Sequence, residues 1–248
     1  MAPLGGERRA ELVGSLGAVR ARLADACIAA GRDPHSVTLI AITKTFPGAD
    51  VATLAALGVG DIGESRDQEA SAKVAEVAEL MRTGAADERV APVRWHFVGR
   101  LQSRKSRSVA SYAHAVHSVD RPELVEQLAV GVARAGRGRL DVFVQVSLDG
   151  DPSRGGVLPD RVVELADAVA ARSELRLRGV MAVAPMAADP RAAFADLAAA
   201  AARLRAAHPD ADAISAGMSA DLEAAVAHGS THVRVGSALL GRRSQVFG

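Results

Sequence analysis

A chain of 248 residues that is 49% hydrophobic can fill a full core, as one large α/β domain or two small ones. Thirty basic residues against 29 acidic ones leave a formal charge of +1, which excludes whole-molecule attraction to nucleic acid or a membrane surface and confines charge-driven function to a local site. The single cysteine, Cys27, cannot close an internal disulfide; in "ADACIAAG" it reads as a small buried helix residue of a protein from a reducing cytoplasm.

The opening "MAPLGGERRAELVG" has no apolar run after its positive charges, so no secretory signal is expected and the protein is placed in the cytoplasm. A leading helix follows, around residues 7–30. From Val37 onward short β-branched runs alternate with helical stretches, the pattern of parallel strands joined by crossover helices. The predicted strands cover residues 37–43, 59–63, 93–99, 115–119, 140–147, 177–183, 212–217 and 231–236. Between them, "RPELVEQLAVGVARAG" and "PDRVVELADAVAARS" space their apolar residues at three and four behind a proline, as amphipathic helices on a barrel exterior do. The longest apolar run, around "LAAAAARLRAAH", is broken by Arg203 and Arg205 and is too short to span a membrane. Eight βα units in this length predict a single-domain TIM (β/α)8 barrel over residues 1–248 with an extra N-terminal helix, ahead of an open doubly wound sheet.

In such a barrel the chemistry gathers where strands end. The first strand ends in "LIAITKTFP", and Lys44 is one of only three lysines, with Lys73 and Lys105, against twenty-seven arginines. A lysine amine can form a Schiff base, and a guanidinium cannot. Other strand-end polar residues are Glu64, Ser65, His96, Arg100, His117, Ser118 and Ser147. After strands seven and eight, "SAGMSADLEAA" and "VRVGSALLG" bring glycine and serine to helix starts: Gly217 with Ser219, and Gly236 with Ser237. Phosphate sites in this fold form at that place. An imine-forming amine beside a phosphate cradle suits a phosphorylated aldehyde such as pyridoxal 5′-phosphate (PLP), and equally a class I aldolase substrate.

The set "AITKTFP", "GESRDQE", "WHFVGRLQSRK", "HSVD", "LRGVMAVAP" and "GMSADLEAAVAHGSTHVRVGSALLG", in this order and over nearly the whole chain, resembles the pyridoxal phosphate homeostasis protein family. The resemblance implies a barrel of the alanine racemase N-terminal type that holds PLP as an internal aldimine on Lys44 and serves vitamin B6 balance without an established turnover reaction. It also implies that Ser219, Gly236 and Ser237 hold the phosphate, that Ser215 and Met218 line its loop, and that Arg234 stands beside the pyridine nitrogen. Ser65, Arg100 and Arg104 depart from the asparagine, histidine and asparagine common in the family. The expected partners are PLP and other B6 vitamers, with transient contact to apo-enzymes that need PLP; nucleic acid and membrane are excluded, and a monomer is expected. The run "GRLQSRKSR" lacks the interleaved aromatics of a nucleic-acid patch.

The rival reading is a PLP-dependent amino-acid racemase. It needs a second acid/base group on the opposite face of the cofactor, which in racemases resembling this barrel is a tyrosine from a separate carboxyl-terminal domain. The chain ends at Gly248, twelve residues after Gly236, and its one tyrosine, Tyr112, precedes the fourth strand on what should be the wrong face. A binding protein is therefore expected, not an enzyme. His114 and His117 point to opposite faces of a strand, and His228 and His232 bracket a turn without partner ligands, so no metal is expected.

Overall fold

The computed structural model describes residues 6–83 and 93–241. The amino-terminal five residues and the chain end at Gly248 therefore lie outside the described part. Eight strands pair in parallel, each with its successor: β1 (Thr38–Ile42), β2 (Asp61–Glu64), β3 (Arg94–Phe97), β4 (Ala115–Val119), β5 (Leu140–Gln145), β6 (Leu175–Met181), β7 (Ala213–Ser215) and β8 (His232–Val235). β1 closes on β8 with Ile40 opposite Arg234 and Ala41 opposite Val235. The ring is the closed barrel that the alternation predicts, not an open sheet. Most strand ends lie one or two residues from those expected, and β6 is the one that starts early, at Leu175, where Arg176 forks onto Asp141 of β5 at 2.5 and 2.9 Å and extends the pairing before the predicted start.

Helices cover the outside: α2 (Gly48–Ala56), α3 (Asp67–Arg82), α4 (Ser106–Tyr112), α5 (Pro122–Ala135), α6 (Val162–Ala170), α7 (Pro190–Ala207), α8 (Leu222–Ala227) and α9 (Ser237–Leu240). Two of the longer ones, α5 and α7, are started by chemistry already visible in the chain. Pro122 and Pro190 open α5 and α7, where a missing N–H costs nothing, and the Asp189 carboxylate accepts the Arg191 amide. The leading helix α1 (Gly6–Ala29) buries Leu12, Leu16, Val19, Leu23 and Ala26 as one stripe. That stripe seats it on the last two helices. Ser15 Oγ donates to Leu239 O at 2.6 Å, and Arg22 donates to Ser219 O at 2.6 Å while pairing with Glu223.

Most of the core lies between strands and helices, whereas inside the ring the apolar filling is small: a cluster of Ala115, Phe143, Met181 and Ala213, with Ile40 and Ile42 of β1. Polar residues occupy the rest of the interior. Among the described residues no helix is long and apolar enough to cross a membrane.

Candidate functional site

Alternation along β1 turns Ile40 and Ile42 into the barrel, where their side chains crowd the space a side chain on Gly63 of β2 would need. The same alternation carries half-buried Lys44 to the inner side, at the carboxyl end of the strand. The next residue, Thr45, has φ of 71°, a left-handed conformation costing a β-branched residue roughly 1–3 kcal/mol. Neighbours hold it there: the Glu69 carboxylate accepts the Thr45 amide, and Phe46 N donates to Thr43 O at 3.0 Å. The turn that presents Lys44 is thus strained and tied down.

The other two lysines are spent elsewhere. Lys73, on α3, is 5% exposed and donates to Thr43 O at 2.7 Å, Glu64 Oε1 at 2.6 Å and Glu69 Oε1 at 3.0 Å, which uses all three ammonium hydrogens. Glu64 therefore faces α3 rather than the mouth, and burial pushes its carboxyl up despite Lys73 and the Thr43 hydroxyl. Lys105 sits 3.4 Å from Asp67. Among the described residues only Lys44 of the three has no carboxylate partner.

The two glycine-serine segments meet each other, and Gly236 lies against Ile42 of β1. Gly217 has φ of 92°, and a Cβ there would lie 2.7 Å from that of Ala225, so only glycine fits. Asp221 Oδ1 accepts the Met218 amide at 2.6 Å and rounds the loop, leaving Met218 37% exposed. Half-buried Ser219 accepts the Ala238 amide at 3.4 Å, which joins this loop to the start of α9. Gly236 follows β8, the strand paired with β1, and exposed Ser237 opens α9. Amides at a helix start lack partners within the helix and favour an anion.

Ser215 and Arg234 lie deeper, inside the ring. Arg234 NH1 donates to Ser215 O and Oγ, both at 2.7 Å, and NH2 to Ala182 O at 2.9 Å. Burial lowers its guanidinium to about 10, with only distant Asp221 opposing, so it stays a cation at neutral pH. Below it the contacts continue: Ser215 Oγ to His117 Nδ1 at 2.8 Å, His117 Nε2 to His96 Nδ1 at 2.9 Å, and His96 Nε2 to Asp61 Oδ1 at 2.9 Å. Burial raises Asp61, but the bonds from His96 and Arg94 outweigh it and hold the carboxyl at about 2.

His96 and His117 are thus interior residues within their strands rather than strand-end residues. The signal that could have found the chain is the run of polar side chains at inward positions: Asp61, His96, His117, Ser215 and Arg234. Nothing local in the sequence marks the backbone of Thr45 or the role of Glu69. Arg100 donates to Ser153 O at 3.0 Å and Arg104 to Gln102 Oε1 at 3.1 Å, both on the surface, and Ser65 is half-buried after β2. Tyr112 lies in the outer helical layer, its hydroxyl 3.5 Å from Asp67 and its ionisation pushed up by burial. Among the described residues no three His, Cys, Asp or Glu side chains gather as metal ligands.

Acid should destabilise the barrel through its buried imidazoles. Burial, helped by nearby His96, holds His232 at about 4, and burial pushes His117 well down. Unfolded, these rings take up protons near pH 6.5; folded, His232 does not until the pH nears 4, and His117 is held well below its ordinary range. The unfolded state binds more protons across that window, so stability falls as pH drops through it, by ~3 kcal/mol from His232 alone. Thermal melts from pH 7 to 4 should show a falling Tm, with a shallower slope in His232→Gln; equal slopes would refute the assignment.

Fold and mouth together define a class: a (β/α)8 barrel built as the N-terminal domain of alanine racemase, whose family profile matches residues 15–244. The chain belongs to the pyridoxal phosphate homeostasis protein family. The relative of that name from Mycobacterium leprae is 48% identical over 246 residues, 96% of this chain and 95% of the relative. The one from Pseudomonas aeruginosa is 43% identical, covering 91% of this chain and 93% of its own length. Among solved structures, PipY from Synechococcus elongatus PCC7942 with PLP bound superposes with a TM-score of 0.77 at 31% identity, over 93% of this chain and 100% of that one.

Proposed function

We propose that this protein binds PLP at the barrel mouth and serves vitamin B6 balance in the cytoplasm by holding and releasing it. The observation that carries this reading is Lys44: a strand-end lysine without a carboxylate partner among the described residues, on the strand paired with the one leading into the Gly236–Ser237 cradle. The solved PipY complex supports the choice of ligand. When bound, PLP supplies an aldehyde that condenses with an amine as water leaves. Lys44 offers the amine, and among the described residues no carboxylate competes for its nitrogen. Ser219, Gly236 and Ser237 offer hydroxyl and amide donors to the phosphate, and Met218 borders the loop. Arg234, held from below by Ser215, meets the pyridine nitrogen as a cation and disfavours protonation of the ring.

The same residues support holding over turnover. Moving an α-proton from one face to the other needs a second acid/base group. The chain's one tyrosine is committed to Asp67 in the helical layer. General acid or base assistance contributes ~10²–10⁴-fold, so only weak exchange is expected without it. The test follows deuterium incorporation at the α-carbon of several amino acids in heavy water, with racemisation in parallel and transfer of PLP to an apo-enzyme as the positive readout. Multiple turnovers per second on any amino acid would replace this reading with a racemase-like enzyme.

A further inference from the structure

With both imidazoles neutral, the interior chain from Arg234 to Asp61 admits one arrangement of hydrogens. An arginine only donates and an ionised carboxylate only accepts, so both ends are fixed. Asp61 Oδ1 must receive the hydrogen on His96 Nε2, 2.9 Å away. In the neutral ring Nδ1 of His96 then has a lone pair and accepts from His117 Nε2 at 2.9 Å. Nδ1 of His117 in turn accepts the Ser215 hydroxyl at 2.8 Å, and Ser215 Oγ accepts from Arg234 NH1 at 2.7 Å. All four bonds run in one sense, from mouth to floor. Phe143 stacked on His117 at 4.2 Å keeps that ring in place, and His232 stands outside the chain with its Nδ1 on Thr231 Oγ1 at 2.8 Å.

We propose that Asp61, at the amino-terminal end of β2, is a positioning residue for Arg234 at the mouth, acting through His96, His117 and Ser215 in fixed Nε2–H tautomers. This rests on the reading that Arg234 meets the pyridine nitrogen of PLP. Bonds aligned head to tail polarise one another, so the carboxylate at the floor strengthens Ser215 Oγ as an acceptor and orients a buried guanidinium that, among the described residues, has no carboxylate in direct contact. Asp61 itself is reached from the other side. Arg94 forks onto it at 2.9 and 2.5 Å, and both residues border a cleft of about 480 Å³ at the floor, with Arg20 and His35. The hydrogen-bonded chain is the route by which a change at Asp61 would reach the mouth.

Two measurements test this. In the apo-protein, nitrogen-15 resonances of the histidine side chains should show His96 and His117 as neutral Nε2–H tautomers at pH 7. A hydrogen on Nδ1 of either ring would overturn the proposal, whether or not any variant folds. In the loaded protein, Asp61→Asn and Ser215→Ala should each weaken PLP roughly tenfold, the worth of one hydrogen bond to a charged group. Their effects should not add, since either cuts the same chain; Asp61→Glu should restore part of the loss. Affinity within twofold of wild type in Asp61→Asn, or fully additive losses, would overturn the proposal. A wild-type protein that takes up no PLP would defeat the functional reading instead, and the apo-protein tautomers would still decide whether the chain exists.

Discussion

Lys44→Ala should give a colourless protein with no borohydride-reducible adduct and PLP affinity lower by on the order of 10²-fold or more, because only phosphate and ring contacts would remain. Lys44→Arg should do no better, since a guanidinium keeps the charge but is no amine nucleophile. Mass spectrometry of the reduced wild-type protein should place the adduct on the peptide containing Lys44. Lys73 is the informative competitor: its ammonium is buried and bonded to Thr43 O, Glu64 and Glu69. Freeing it would leave Glu64 as an unpaired buried carboxylate, a change costing several kcal/mol when one partner of such a pair is lost. An adduct on Lys73 or Lys105 would defeat the assignment.

Ser219→Asp should weaken PLP by about 10²-fold while leaving unphosphorylated pyridoxal within a few-fold. The new carboxylate would stand at the junction of the loop after β7 with α9, where Ser219 Oγ meets the Ala238 amide. Like unit charges 4 Å apart near a protein surface repel by ~4 kcal/mol before screening, and half-buried Ser219 would feel part of that. Ser219→Ala removes one hydroxyl and no charge, so it should cost only several-fold. Binding of both vitamers measured by titration separates the outcomes. Equal losses for PLP and pyridoxal would put the phosphate somewhere else.

Part of the proposed mouth is legible in the sequence. Lys44 stood out because the chain otherwise uses arginine, and "GMSAD" and "VRVGS" mark helix starts with residues suited to them. The structure then sorted the remaining candidates. Ser215, grouped with the phosphate loop on resemblance, lies deeper and is bonded to His117 and Arg234. Glu64, a strand-end residue by its place in the sequence, is turned toward α3 by Lys73. His96 and His117 moved from the strand ends to the interior.

What the sequence alone determined is whatever neighbouring residues encode: the eight strands, the covering helices, their caps, and a lysine at the end of the first strand. Those features depend on the two-residue and 3.6-residue periods and on backbone chemistry over a few positions, so they can be read in order along the chain. Only the tertiary structure decided which inward side chains meet. His117 and Ser215 are 98 residues apart, and strand alternation says that each points inward but not that they touch. Closing the ring supplies that answer. It sets β2, β3, β4, β7 and β8 around one narrow interior, where buried polar groups must find partners between Arg234, which only donates, at one end and the Asp61 carboxylate, which only accepts, at the other.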